Sequence, residues 1–267
     1  MKVRLALAAL LLTACSSPVP APIPAQPHPF APTQSPIHWI RTSGIARLAS
    51  GQDVALPNVA QLVAVSRNGH RVAYIDDAGR YAALDLRTGQ VRQLNAKLAG
   101  QIRWGEPHLA VSGDGALFAT SPEATAETTI INFDTGETTI VKNVCRLYGV
   151  TASGVLGTRD CEGDSDLRWA SPGKKPRVFE YLNRNDEPSL SPDGKFIAVR
   201  GFTLIDFATG EAVRNFPIPA TGQWLDAYHL LAKTSNGYYA ADIKTGSLTK
   251  LAVVAPPYET VLFGRWQ

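Results

Sequence analysis

The stretch Ser191-Pro192-Asp193-Gly194-Lys195-Phe196-Ile197-Ala198-Val199, followed by Asp206-Phe207-Ala208-Thr209-Gly210-Glu211, decides the fold of this 267-residue chain. It predicts short strands between tight turns, because Asp-Gly and Thr-Gly pairs suit hairpin turns and apolar residues separate them. The second turn recurs, with looser copies, at glycines 51, 89, 136, 173, 210 and 246. Their separations of 38, 47, 37, 37 and 36 residues match the period of four-stranded propeller blades.

The period predicts an all-β fold, a six-bladed β-propeller over residues 37–267. Five blades are expected at 61–98, 102–142, 144–182, 187–217 and 222–254. Residues 37–57 supply only three strands, so we expect the C-terminal strand, Thr260 to Trp266, to complete the first blade and close the ring. A β-sandwich with similar turns is the alternative, but a sandwich gives no reason for a near-constant period.

On these residues, the repeat resembles the WD-like repeat of TolB-type β-propellers. The resemblance is strongest over 188–216 and extends to 61–94 and 108–141, whereas 145–180 and 223–252 lack the Asp-Gly opening. The chain has no room for the α/β domain that accompanies the propeller in TolB itself. It also contains no Gly-x-Ser-x-Gly, which hydrolases with such propellers carry. We therefore expect no enzyme.

Residues 1–14 predict a lipoprotein signal peptide. Lys2 and Arg4 precede an apolar run, Leu5 to Leu12, that is too short to span a bilayer. Leu12-Thr13-Ala14-Cys15 resembles a bacterial lipobox, in which Cys15 is lipidated and becomes the mature N-terminus. A plain signal peptide with a chance cysteine is the alternative.

The residues after Cys15 suggest an address and a spacer. Ser16 and Ser17 lack the Asp that resembles an inner-membrane retention signal, which favours the outer membrane, facing the periplasm, in a cell that has one. Eight prolines lie between 18 and 36, and such a segment favours polyproline II. At about 3.1 Å per residue it would extend on the order of 60 Å. We expect residues 15–36 to be a lipidated linker that lifts the propeller off its anchor.

Charge and cysteines add two further expectations. The formal net charge of +3 falls to +1 without residues 1–14, which gives no support to nucleic-acid binding. Cys145 and Cys161 fall in one blade, and an exported setting favours a disulfide between them. Closing so short a loop would add about 3 kcal/mol. Two buried thiols are the alternative.

Acidic residues concentrate in the loops that share one face of a propeller, from strand 2 to strand 3 and from strand 4 to the next blade. This acidic rim is expected to bind a basic segment of a partner, and comprises Asp76, Asp77, Glu106, Glu123, Glu127, Glu162, Asp186, Glu187 and Glu259. The opposite face would be basic and face the anionic membrane, with Arg67, Arg71, Lys174, Lys175, Lys195 and Lys244. Ordinary solvated loops are the alternative.

The densest acidic stretch is a candidate Ca²⁺ site. Its potential ligands are Asp160, Glu162, Asp164 and Asp166. The stretch is not an EF-hand loop, because Ser165 stands where glycine is needed, so an ordinary loop is the alternative. No other cofactor is expected, since His38, His70, His108 and His229 lack metal-site spacing.

These features predict a monomeric, lipid-anchored protein of the bacterial envelope that serves as a non-enzymatic interaction scaffold for another envelope protein. The alternative is a small-ligand-binding, sugar-binding or hydrolytic propeller that uses its central channel, near which His108 is expected. Trp104, Trp224 and Trp266 are expected near the inner strands, more as packing between blades than as a pocket lining.

Overall fold

The computed structural model describes residues 21–27, 30–41, 44–56, 58–94, 109–121, 126–160, 166–183, 188–199, 201–253 and 261–265. These residues form 24 β-strands and no helix, so none of them belongs to a helix able to cross a membrane. The strands form antiparallel four-stranded blades whose inner strands contact one another around a central axis.

Within each blade the strands follow in chain order from the inner to the outer edge, except that the C-terminal strand is innermost in blade 1. Blade 1 comprises β24 (Val261–Phe263), β2 (Ile37–Arg41), β3 (Ile45–Leu48) and β4 (Asp53–Ala55). Blade 2 comprises β5 (Val59–Val65), β6 (Arg71–Asp76), β7 (Tyr81–Asp85) and β8 (Gln90–Gln93). Blade 3 comprises β9 (Leu109–Val111), β10 (Leu117–Thr120), β11 (Glu127–Asn132) and β12 (Thr138–Lys142). Blade 4 comprises β13 (Arg146–Thr151), β14 (Gly154–Thr158), β15 (Asp166–Ala170) and β16 (Arg177–Asn183). Blade 5 comprises β17 (Ser189–Leu190), β18 (Phe196–Val199), β19 (Gly201–Asp206) and the start of β20 (Ala212–Trp224). Blade 6 comprises the end of β20, β21 (His229–Thr234), β22 (Gly237–Asp242) and β23 (Leu248–Lys250).

The C-terminal strand closes the ring, which confirms the predicted six-bladed propeller and its closure. β24 is the inner strand of blade 1, and Phe263 pairs with Trp39 of β2. Phe263 is fully buried in an apolar cluster that blade 1 shares with Leu231 and Ala240 of blade 6. The two ends of the chain therefore meet in one sheet, as the three-stranded count of residues 37–57 predicted.

Blades 5 and 6 are joined by one long strand, whereas the sequence suggested two separate ones. β20 runs from Ala212 to Trp224 and supplies the outer strand of blade 5 and the inner strand of blade 6. Ala220 pairs with both Gly201 and Ala232, so the extended backbone passes between the blades without a turn.

The repeated Asp and Gly residues form turns, as predicted. The Asp206 carboxylate accepts the Thr209 N–H at 2.8 Å, and Asp242 accepts the Thr245 N–H at 2.7 Å. Gly210 has a φ of +81°, which a residue with a Cβ rarely adopts. The sequence period therefore arises from turn chemistry.

The N-terminal segment, residues 21–27 and 30–36, packs on the propeller. β1 (Ala25–Pro27) pairs antiparallel with β8 and covers the outer edge of blade 2. The Ile23 N–H donates to Gly136 O of blade 3 at 2.9 Å. Phe30 is only 7% exposed and belongs to the core cluster between blades 1 and 2. The expectation of a free spacer is therefore wrong for these residues, because an apolar anchor and an open sheet edge outweigh the preference for a solvated helix.

Candidate functional site

The candidate site is a cavity in the central channel together with the groove at its mouth. The channel cavity has a volume of about 390 Å³ and lies between the inner strands of blades 2 to 6. The mouth groove, of about 570 Å³, lies between the turns that join strands 1 and 2 in the same blades. Arg67, Gly113, Val150 and Pro192 line both, so the groove leads into the cavity.

Three carboxylates surround the mouth groove: Asp114, Asp193 and Asp226. Burial raises the pKa of Asp114, but the Ser112 hydroxyl and the Ala116 N–H donate to it and shift the pKa below its ordinary value. The pKa of Asp193 is lowered in the same way, by Ser191 and Lys195 against the effect of burial. Both groups are therefore ionised at neutral pH, and the turns fix their positions.

Arg67 lies where the groove meets the cavity. Its Nη1 donates to Phe263 O at 2.9 Å, which links blade 2 to the closing strand. Burial lowers the pKa of Arg67 to about 10, and the nearby Asp226 carboxylate opposes that shift. The guanidinium remains a cation at neutral pH.

A set of arginines that the sequence analysis missed connects neighbouring blades. Arg92, Arg177 and Arg214 lie on outer strands, and each donates to a backbone carbonyl in the next blade's turn between strands 3 and 4. Each guanidinium also lies against that turn's glycine; a Cβ at Gly136 would collide with Arg92. The available signal was an arginine three or four residues after the turn glycine in three repeats.

Arg71 is buried between blades, although we expected it on an exposed basic face. Its Nε donates to Asp85 at 2.9 Å, its Nη1 donates to Gly115 O at 2.9 Å, and its Nη2 pairs with Asp134 of blade 3. The guanidinium carbon lies 4.3 Å from the centre of the Phe133 ring. Arg71 is only 4% exposed, so it cannot contact a membrane.

The face opposite the acidic rim is mixed in charge and is not basic as expected. Lys174, Lys175, Lys195 and Lys244 are exposed there. Lys195 pairs with Asp193 at 3.1 Å, and the three groove carboxylates lie on the same face. The expectation of a basic face rested on its basic residues alone.

No protein-family model matches this chain, and no curated protein matches it. The crystal structure of a nidogen/laminin complex is similar in shape, with 10% identity over 85% of this chain and 99% of that chain, at a TM-score of 0.54. The dihydro-heme d1 dehydrogenase NirN in complex with DHE aligns at 15% identity over 89% of this chain, with a TM-score of 0.45. Our chain spans 58% of that dehydrogenase's length. The first similarity supports the β-propeller fold and does not extend to function.

Of the predicted acidic rim, the structure describes Asp76, Asp77 and Glu127. Asp76 pairs with Arg80 at 2.9 Å, and Glu127 lies 3.9 Å from Lys142. Two of these three charges are therefore partly neutralised by neighbours. The remaining rim residues, Glu106, Glu123, Glu162, Asp186, Glu187 and Glu259, lie outside the described residues.

The remaining site predictions fall largely outside the described residues. Cys145 is buried and disulfide-bonded, while Cys15 and Cys161 are not described, so their roles stay predictions. Asp160 and Asp166 are exposed, whereas Glu162 and Asp164 are not described, so the Ca²⁺ site also stays a prediction. Within the described ranges, no three His, Cys, Asp or Glu side chains gather as a metal site would need.

Among the aromatic and histidine candidates, Trp224 is fully described. It is 2% exposed, packs in the core cluster of blades 5 and 6, and donates its Nε1–H to Ser189 O at 3.3 Å. It also borders the channel cavity, so it belongs to both the packing and the pocket. Trp104, Trp266 and His108 lie outside the described residues.

Proposed function

We propose that this protein is a lipid-anchored, non-enzymatic interaction module of a bacterial cell envelope, and that its mouth groove binds a basic segment of a partner protein. The mouth groove carries the proposal. Its three carboxylates lie on turns of three different blades. Each carboxylate accepts a backbone N–H within its own turn, which fixes that turn. A rigid group of like charges attracts and orients a partner of opposite charge.

The acidic rim predicted from the sequence remains the second surface proposed for this partner. The groove is preferred because its carboxylates surround a concave site. Pairing with cations does not separate the two surfaces, since Asp193 of the groove pairs with Lys195 as Asp76 of the rim pairs with Arg80. Concave sites bury more of a ligand than exposed loops do.

The membrane location is proposed from the N-terminus. Lipidation of Cys15 and removal of residues 1–14 would place the protein on the outer membrane, facing the periplasm, in a cell with two membranes. Replacing Cys15 with Ser should release the protein from the membrane fraction. Unchanged membrane retention would contradict lipid anchoring while leaving the groove proposal intact. We also propose that the repeats are related to those of TolB-type propellers and that the protein is a monomer.

The groove is tested by crosslinking in cells followed by mass spectrometry. The test variant combines Asp114→Asn, Asp193→Asn and Asp226→Asn, since an amide oxygen can still accept the turn hydrogen bonds while the charge is lost. The matched control combines Asp206→Asn and Asp242→Asn, which removes charge from two turns outside the groove.

We expect the native protein and the control to capture one partner through a Lys- or Arg-rich peptide, and the test variant to lose that capture. Crosslinks that survive in the test variant and map to the acidic rim would move the binding surface to the other face. Capture that depends on neither surface would refute the scaffold proposal.

A further inference from the structure

The channel cavity differs in character from the groove above it. About half of its exposed lining is apolar, supplied by residues such as Val63, Leu109 and Leu147. Its volume of about 390 Å³ is that of a small-molecule pocket, not of a folded partner. A pocket that combines apolar side chains with one charged group is suited to a ligand that has an apolar body and one charged end.

Arg67 supplies that charged group. A guanidinium carries five N–H donors, and one of those on Nη1 donates to Phe263 O. Among the residues that the structure describes, no side chain or carbonyl accepts from Nε or Nη2 of Arg67. Arg67 is only partly buried, so a ligand in the channel can reach these donors and replace water as their acceptor. Planar, paired N–H groups match the two oxygens of a carboxylate.

We propose that the channel cavity binds a small apolar monocarboxylate, with its carboxylate on Arg67 and its apolar body against the inner strands of blades 2 to 6. The groove carboxylates argue for a single negative charge. Asp226 already offsets part of the Arg67 charge, and Asp114 and Asp193 would repel a phosphate or a dicarboxylate at the entrance. This site lies below the proposed partner surface, shares Arg67 with it, and requires no second protein.

The experiment is a calorimetric titration of the purified protein with benzoate and octanoate, with benzamide as the neutral match for benzoate. Concentrations up to about 10 mM suffice, because a ligand of millimolar affinity would then be mostly bound. Native protein should bind both carboxylates saturably, and benzamide at least about tenfold more weakly, since the charge-assisted hydrogen bonds are lost.

Two variants and one matched control locate the site. Arg67→Gln should weaken benzoate binding about tenfold or more. Ala64→Leu narrows the cavity while keeping Arg67, and should also weaken binding. Arg177→Gln is the control, because Arg177 likewise donates to a backbone carbonyl of another blade, Phe207 O at 2.7 Å, but lies outside the channel. The control should bind as the native protein does.

Several results of these titrations would overturn the proposal. Absence of saturable binding by both carboxylates overturns the proposal, as does equal binding of benzoate and benzamide or undiminished binding in Arg67→Gln. If Arg67→Gln fails to fold, Ala64→Leu alone decides: binding of benzoate equal to that of the native protein overturns the proposal. None of these results depends on whether the groove binds a partner, so the two proposals can fail independently.

Discussion

The interface between blades 2 and 3 and the interface between blades 3 and 4 are neighbours stabilised by different forces. At the start of strand 2, blade 2 has Arg71 and blade 3 has Leu117. Arg71 reaches across to blade 3 through a hydrogen bond to Gly115 O and an ion pair with Asp134. Leu117 instead packs against an apolar cluster that includes Val144 and Leu147 of blade 4.

The outer strands show the same contrast. Arg92 pairs with the middle of strand 3 in blade 2 and donates to Phe133 O of blade 3 at 2.7 Å. The corresponding residue of blade 3 is the exposed Thr139. One repeat framework therefore supports two solutions, buried charge-assisted hydrogen bonds at one interface and apolar burial at the next. Four predictions test this contrast, from the largest expected effect to the smallest.

Opening the ring should remove both interfaces at once. Deletion of residues 258–267 takes away β24 and leaves an open inner edge on blade 1. We expect no cooperative unfolding transition in urea, followed by circular dichroism. Phe263→Leu is the conservative control and should fold. A deleted protein that stays folded and monomeric would contradict closure by this strand.

Removing the buried guanidinium of Arg71 should lower the free energy of unfolding far more than replacing Leu117 with another apolar residue. Arg71→Met should lower the free energy of unfolding by about 3 kcal/mol, because Asp85 and Gly115 O lose a buried partner. Leu117→Met, at the same position of blade 3, should cost less than about 1.5 kcal/mol. Similar losses in both variants, measured by urea unfolding, would show that the two interfaces do not differ in kind.

Acid should weaken the charged interface selectively through Asp85. Burial would raise the pKa of Asp85, but hydrogen bonds from Arg87 and Arg71 outweigh it and lower the pKa from 3.8 to about 2. Because the folded-state pKa is the lower one, the stabilisation is present above pH 4 and is lost as pH falls towards about 2. The stability difference between native protein and Asp85→Asn should narrow by about 1 kcal/mol between about pH 6 and about pH 3. A constant difference would assign the effect to packing.

The smallest expected change in stability tests whether burial strengthens the hydrogen bond between an arginine and a carbonyl of the next blade. Arg92 and Arg177 make the same contact at 2.7 Å, but Arg92 is 5% exposed and Arg177 is exposed. Arg92→Met should cost about 2 kcal/mol, and Arg177→Met about 1 kcal/mol or less. Equal costs in thermal unfolding would mean that the hydrogen bond, and not its burial, determines the contribution.

Properties repeated along the chain could be predicted from the sequence. The turns at Asp206 and Asp242 and the closure by residues 260–266 followed from period and composition alone. Arg71 escaped because its partners, Asp134 and Gly115, belong to the next blade and nothing within its own repeat points to them. The mouth groove escaped for a related reason: an Asp-Gly pair predicts a turn, which does not show that the turns carrying Asp114 and Asp193 face one another.

The N-terminal segment was mispredicted because proline content describes a chain in isolation. An open strand edge on β8 and a pocket for Phe30 are properties of the folded domain, and they bind a segment that would otherwise be solvated. Composition identifies what a segment prefers, and the surface beside it decides what it does.

The docked N-terminal segment also limits how far Cys15 can lie from the propeller. Contact with the propeller begins near Ile23, at the Gly136 turn, on the face that carries the mouth groove. Only five residues lie between Cys15 and residue 21. They span about 20 Å at full extension, a third of the reach expected for a free spacer. With a lipid on Cys15, the protein could not search across the envelope. Its partners would be proteins that lie against the same membrane.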